Sequence, residues 1–490
     1  ERTVELRRRI DEKKRTVYRA AFEWRYEFPE VLDENGRFVG FDCVIGNPPY
    51  VRQEMLGAAF KAYARSRYGV YHGVADLYAY FFELGVAVLR EGGQFSIIVA
   101  NKWTRANYGA PLRKWLREQG LELVVDFGAL PVFPEATTYT CIIRIRKGKP
   151  SDTFGVVKAD TLQFDSLAAY VQGHRYGVRR ESLEDGGWSL SDEGTAALLK
   201  KLRQTGAPLK EYVNGRIYYG IKTGFNEAFV IDAATRERLI AEDPKSAELI
   251  KPFLAGRDIK RYEPPTSDHF LIFTRRGIDI KRYPAVESHL KRFKEQLLPK
   301  PKDWKGADWK GRKPGTYLWY EIQDAVDYYA EFEKPKILWP GISAEVAAFT
   351  FDESGFYGND NNQIIITDDR YVLGILNSSL MKLALINICD KVQGGFYRLK
   401  IAYISQLPIR AIDFAVPEEK ARHDRIVALV ERMLRLHQEP PEPAPPEENE
   451  NRLREIAATD AEIDALVCGL YCLTAEEIRI LDESGKTTNG

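Results

Sequence analysis

The first 150 residues alternate short apolar runs with stretches of helical periodicity, and this alternation restricts the fold more than anything else in the chain. The runs FDCVIG (41–46), QFSIIVA (94–100), LELVVDFG (121–128) and TYTCIIRIRKG (138–148) have strand length. The first is nearly all apolar, as a strand buried in a parallel sheet would be. Between them, DLYAYFFELGVAVLREGG (76–93) predicts a helix capped by Asp76 and ended at Gly92, and APLRKWLREQG (110–120) one ended at Gly120. The opening ERTVELRRRIDEKKRTVYRAAF (1–22) also reads as a helix. A βαβ rhythm of this kind implies an α/β fold, a doubly wound sheet with helices on its faces.

Beyond residue 150 the texture changes. Residues 151–412 hold short β-like runs rich in aromatics and turn residues, such as GRIYYGIKTGFNEAFVID, KPKILWPGIS and NQIIITDD. Residues 413–490 read as a helical region broken by a Pro/Glu linker, 438–450, that should be extended and solvated. Three domains follow: 1–150, 151–412 and 413–490. No stretch approaches the roughly 18 apolar residues of a membrane span. The cysteines (Cys43, Cys141, Cys389, Cys468, Cys472) are scattered without disulfide or metal-ligand spacing. The expectation is a reduced, cytoplasmic protein with no membrane partner and no bound metal. Lys plus Arg and Asp plus Glu both number 71, so any basic surface must be local.

The run 41–46 stops at Asn47-Pro48-Pro49-Tyr50. In an open α/β sheet, ligands bind at the carboxyl ends of the strands, so this strand delivers Asn47 into a cleft. Pro48 and Pro49 fix φ, donate no N–H, and hold their predecessors extended. The result is a stiff loop whose carboxamide and carbonyl oxygens are two acceptors suited to a planar –NH2 group. Tyr50 adds a ring that can stack on whatever carries that amine. A plain strand-end turn is the alternative.

NPPY after an apolar strand resembles the catalytic signature of S-adenosylmethionine-dependent amino methyltransferases, chiefly those acting on adenine N6 in DNA. FEWRYEFPEV with GFDCVIGNPPYV, then DLYAYF, GGQFSIIVANKW, LRKWL and VVDFGALPVFPEATTYTCIIRI, resembles the type IIG restriction–modification enzymes in order as well as in letters. Further on, GIKTGFNEAFVI, IKPFLAGRDIKRY, FEKPKILWPGIS, YGNDNNQIIIT, LGILNSSL and GGFYRLKIAYISQLPI resemble the TaqI-like specificity domain. The resemblance implies part of a methyltransferase sheet in 1–150, a target recognition domain in 151–412 and C-terminal helices after it. It implies site-specific methylation of adenine N6 in double-stranded DNA with S-adenosylmethionine as cofactor. Asn47, Pro48, Pro49 and Tyr50 would then be catalytic, with the target base flipped out of the helix. Phe133 becomes the second aromatic wall, against the alternative of core packing. Asn47, Asp76 and Phe81 would hold the cofactor, although Phe81 equally suits a helix core face. The Gly-containing cofactor loop and ribose carboxylate that family members carry earlier are not found, and neither is a D…(D/E)xK nuclease set. The chain is therefore expected to be a C-terminal part, with a cofactor-binding and nuclease portion upstream or in another polypeptide.

Specificity falls to the second domain. Residues 299–320 (PKPKDWKGADWKGRKPGTYLWY) carry six Lys or Arg against two Asp among tryptophans, a composition suited to phosphate contact. Lys305, Lys310, Arg312 and Lys313 are the candidates there, joined by Lys222, by Arg257, Lys260 and Arg261 in AGRDIKRY, and by Arg398 and Lys400 in GGFYRLK. A solvated surface is the alternative for each. Other functions stay open: a glutamine or RNA-adenine methyltransferase, or a non-catalytic DNA-binding specificity module needing a partner for S-adenosylmethionine.

Overall fold

A computed structural model describes residues 24–486 except 135–137, 184, 307, 393–395 and 439–444, and of the first 23 residues only 5, 8, 12 and 22. The helix expected over 1–22 falls largely outside the described residues. The chain forms two compact units, 1–193 and 194–490.

The first unit is built on six strands: β1 (Phe41–Gly46), β2 (Leu89–Ala100), β3 (Gly120–Asp126), β4 (Thr140–Arg146), β5 (Thr153–Lys158) and β6 (Tyr176–Arg179), in the order β1-β2-β4-β3-β5-β6. β1 and β2 are parallel, β4 runs antiparallel between β2 and β3, and β3 and β5 are parallel. Thus β1, β2, β3 and β5 share one direction. The sheet continues past residue 150 through β5 and β6. Helices α1 (Ala58–Arg67) and α2 (Tyr78–Ala87) connect β1 to β2, and α3 (Ala110–Glu118) connects β2 to β3. Phe82 and Val86 of α2, Leu112 and Leu116 of α3, and Phe95, Ile97, Val124 and Ile143 of the sheet bury one another in a single cluster. Gly85 makes this packing possible, since a Cβ there would stand 2.2 Å from the Phe95 ring.

Three local expectations are corrected. β1 is parallel as expected but not buried: it pairs only with β2 among the described strands, and Ile45 is 80% exposed. Its apolar side chains reflect a strand with one open edge. α2 begins at Tyr78 without a side-chain cap, and Asp76 instead accepts the Gln53 N–H at 3.2 Å. Gly92 does not end that helix, which stops at Ala87. It lies inside β2 at φ +75°, where an irregular register between Phe41/Leu89 and Cys43/Gln94 needs a left-handed residue.

The second unit carries two four-stranded sheets. Its strands include β7 (Ile217–Tyr219), β8 (Val230–Asp232), β9 (Ile250–Leu254), β10 (His269–Ile272), β11 (Lys336–Pro340), β12 (Thr350–Asp352), β13 (Tyr357–Gly358) and β14 (Asn362–Ile366), ordered β13-β9-β10-β8 and β12-β11-β14-β7. Lys336 of β11 and Asp352 of β12 form a fully buried ion pair at 2.5 Å. Helices α4 (Arg370–Asn377), α5 (Ser379–Ile388), α6 (Pro417–Leu436) and α7 (Pro446–Leu470) bury Leu373, Leu385, Val430 and Val467 in one core. The helical start of α7 corrects the extended reading of 446–450. Pro446 takes a first-turn position, where its missing N–H costs nothing, and Glu447 and Glu448 favour that end of the helix dipole. Among the described residues no single helix is long and apolar enough to cross a membrane, and the apolar pair α4–α5 is bent by 64°.

Candidate active site

Because β1, β2 and β3 point the same way, their carboxyl ends bring three polar segments to one end of the sheet. These are Asn47-Pro48-Pro49-Tyr50 after β1, Asn101 after β2, and Asp126 closing β3. Asn47 is exposed and Pro48 buried. Among the described residues, neither the Asn47 carboxamide nor the Pro48 carbonyl accepts a hydrogen bond, while the Pro49 carbonyl is taken by the Val51 N–H at 2.9 Å. Two acceptors are therefore left open at the head of a loop that the prolines make rigid.

Three hydrogen bonds brace this loop from behind. Leu77 N–H donates to the Val51 carbonyl at 3.0 Å, Gln53 N–H to Asp76 at 3.2 Å, and Lys61 Nζ to Gln53 Oε1 at 2.7 Å. Asp76 thereby acts on the loop rather than on the helix end. Partial burial raises its carboxyl, the backbone N–H of Gln53 acting against this. Tyr50 keeps 40% of its surface open. Partial burial and the nearby Cys141 thiol both raise its phenol, so the ring is neutral at ordinary pH. Phe133 lies in the β3–β4 connection at this same end of the sheet, half-buried and outside all the buried clusters, which disfavours the core alternative. Phe81 packs against the first core with part of its ring accessible.

The sequence reading passed over Asn101 and Asp126. The Asn101 carboxamide donates to Asp126 at 2.8 Å, and the same carboxylate oxygen accepts the Gly128 N–H at 3.0 Å. The available signal was a polar residue at the end of each apolar run, the same signal that singled out Asn47.

The DNA-contact candidates divide by geometry. Lys305, Lys310, Lys313 and Arg398 are exposed and form no ion pair among the described residues. Trp304, 43% exposed, meets Trp309 edge-on at 5.0 Å in the same loop. Arg257 is exposed and lies 3.7 Å from Asp258, and Lys222 lies 3.8 Å from Asp360. Lys260 pairs with Glu263, and Lys400 with Asp390.

Two candidates are corrected. Arg312 is 3% exposed, and its guanidinium donates to the carbonyls of Leu297, Thr223, Glu321, Leu318 and Trp319. Its donors hold the loop from within and are not available to phosphate. Arg261 forks onto Asp460 at 2.6 and 2.9 Å and onto the Asn377 carbonyl, which makes it an internal clamp. Arg312→Ala is therefore expected to lower unfolding stability by about 3 kcal/mol, since several buried carbonyls lose a charged donor. Denaturant melts measure this, and a loss under about 1 kcal/mol contradicts the role.

Residues 2–133 match the family model of the Eco57I restriction-modification methylase, and residues 251–409 that of the TaqI-like C-terminal specificity domain. The chain is 28% identical over 394 residues to the Type II methyltransferase M.PaeR7I of Pseudomonas aeruginosa, covering 75% of this chain and 64% of that protein. It is 26% identical over 392 residues to the Type II methyltransferase M.XhoI of Xanthomonas vasicola, covering 75% and 68%. The Type IIL restriction-modification enzyme MmeI, solved in complex with DNA, shares the fold with a TM-score of 0.58 at 15% identity, over 94% of this chain and 58% of that one. The matches thus span 58–68% of the length of these relatives.

Proposed function

From a chain that carries an Eco57I-type restriction-modification methylase segment and a TaqI-like C-terminal specificity domain, we propose a site-specific DNA methyltransferase that transfers a methyl group to adenine N6. The first unit takes the catalytic role, the region up to about 412 target recognition, and the helices after it support that region. The observation that carries this reading is the pair of open acceptors, the Asn47 carboxamide and the Pro48 carbonyl, on a proline-stiffened loop at the carboxyl end of a parallel strand.

Adenine's amino group is a poor nucleophile because its lone pair is delocalised into the ring. Holding both amino hydrogens on Asn47 and Pro48 draws the nitrogen towards a tetrahedral geometry and exposes the lone pair. No covalent bond to the protein is needed, so the chain contributes positioning and electrostatics. S-adenosylmethionine, when bound, supplies an electrophilic methyl on a cationic sulfur. The residues present fit its near side: Asn47 stands at the strand end, the Phe81 ring is partly accessible, and the second oxygen of Asp76 makes no hydrogen bond among the described residues. The proton released from nitrogen leaves through the same acceptors or to solvent at the exposed Asn47. A base inside a duplex cannot reach this loop, so it enters flipped, with Tyr50 and Phe133 as its stacking surfaces. In the restriction–modification setting a nuclease activity would reside in another part of the whole protein.

Tyr50→Ala is expected to weaken capture of the flipped base, reducing the fluorescence gain of a 2-aminopurine placed at the target. Tyr50→Phe should retain most of it, because stacking uses the ring. Equal defects in the two variants would assign the role to the hydroxyl and refute stacking.

A further inference from the structure

We propose that Arg65 and Arg67, in the last turn of α1, grip the DNA phosphates that flank the flipped nucleotide; this rests on the methyltransferase reading above. From Met55 to Ala75 the chain has no Asp or Glu but carries Lys61, Arg65 and Arg67. In a chain whose charges balance, that makes a local basic surface. Arg52, Arg65 and Arg67 are exposed and form no ion pair among the described residues. Most other exposed arginines among the described residues of this unit do: Arg90 pairs with Asp42, Arg146 with Glu122, and Arg179 with Glu193. The guanidiniums of Arg65 and Arg67 lie against the rings of Tyr71 and Tyr68 at 5.5 and 5.7 Å. Ring contact holds a guanidinium in place without using its N–H donors. Tyr63, 54% exposed, stands one turn before Arg67 on the same helix.

Position makes this surface specific to the target nucleotide. Lys61 of α1 is bonded to Gln53, and Gln53 to Asp76, so α1 and the loop that receives the base are held as one piece. A nucleotide that swings out carries its flanking phosphates with it, and arginines tied to the loop that receives the base suit them; Glu54, near Arg52 and Lys61, and Glu83, bonded to the Val70 N–H, border this basic stretch. The chemistry recognised is the phosphodiester of DNA, without base preference.

The test uses the complete protein with Arg65→Ala/Arg67→Ala and Arg65→Lys/Arg67→Lys. DNA affinity is followed from about 50 to 200 mM salt on duplexes with and without the recognition sequence. Each phosphate contact contributes about 0.9 to the log–log salt slope, so the alanine pair should flatten it by about 1.8 on the duplex bearing the recognition sequence, where the base is flipped, and by less on the other. The affinity loss at low salt should be about tenfold or more. The lysine pair, which keeps the charges, should recover most of the slope, and the single variants Arg65→Ala and Arg67→Ala, each flattening it by about 0.9, decide the matter if the alanine pair fails to fold. Phosphate-ethylation interference should lose its signal beside the methylated adenine in the alanine pair. An unchanged slope on the duplex bearing the recognition sequence, or a loss of the same size on the duplex without it, overturns the proposal. Failure of the unaltered protein to bind DNA at all would overturn the underlying reading, and this surface with it.

Discussion

Asn47→Ala in the complete protein should cut methyl transfer by at least about 100-fold while leaving DNA affinity within a few-fold. The carboxamide acts on the amino nitrogen as it becomes nucleophilic, so its loss falls on the transition state and not on duplex binding. Removing one positioned group of this kind costs about 10²–10³ in rate, or about 2.7–4 kcal/mol. The side chain is exposed and makes no hydrogen bond among the described residues, so truncating it should not disturb the fold. Asn47→Asp, which keeps an acceptor oxygen for the amino hydrogens, should lose far less than Asn47→Ala. Single-turnover transfer of a labelled methyl group measures both. Retention of a tenth of the rate by Asn47→Ala would refute the assignment.

The second large effect lies in the second unit and concerns stability. Lys336→Met should destabilise the fold by about 3–5 kcal/mol, because the Asp352 side chain would be left in a buried site without its partner. Both side chains are fully buried. Asp352 also accepts the N–H groups of Ser354 and Phe356, while Lys336 donates to the Phe332 carbonyl. The pair ties β11 and β12 together at the open end of their hairpin, to the turn that follows β12 and to the chain that precedes β11. Burial lowers the Lys336 amine, with Asp352 opposing the shift. Its folded-state value is thus below its unfolded one, and this lysine alone favours folding more as pH rises through that alkaline window. Lys336→Met combined with Asp352→Leu should recover most of the loss, since an apolar pair of similar volume needs no desolvation. Denaturant unfolding of the two single variants and the double variant closes the cycle, and additive losses would contradict the coupling.

The sequence carried those parts of the fold that are written locally. β3 and β4 and helix α3 appear where periodicity and terminators put them, and β2 does so from Gln94 onward. What it did not carry depends on partners distant in the chain. The exposure of Ile45 follows from β1 having one neighbouring strand among the described residues, which an apolar run does not report. Gly92 reads as a helix end by composition, but the register of β2 against β1 makes it a strand irregularity. Arg312 sits in a basic, tryptophan-rich loop and so reads as a phosphate contact. Five carbonyls, two of them near residues 223 and 297, turn it inward. At the candidate site, NPPY was legible because two prolines and a strand end constrain the backbone strongly. The Asn101–Asp126 hydrogen bond was not, because each partner is an ordinary strand-end residue until the sheet brings them together.

The most direct measurement is nucleoside analysis of duplex DNA after incubation with the complete protein and isotopically labelled S-adenosylmethionine, run beside Asn47→Ala. The account predicts label in N6-methyldeoxyadenosine, at one position within a defined sequence, and its loss in the variant. Label on cytosine, on RNA or on protein, or label on adenine that survives the loss of Asn47, would contradict it.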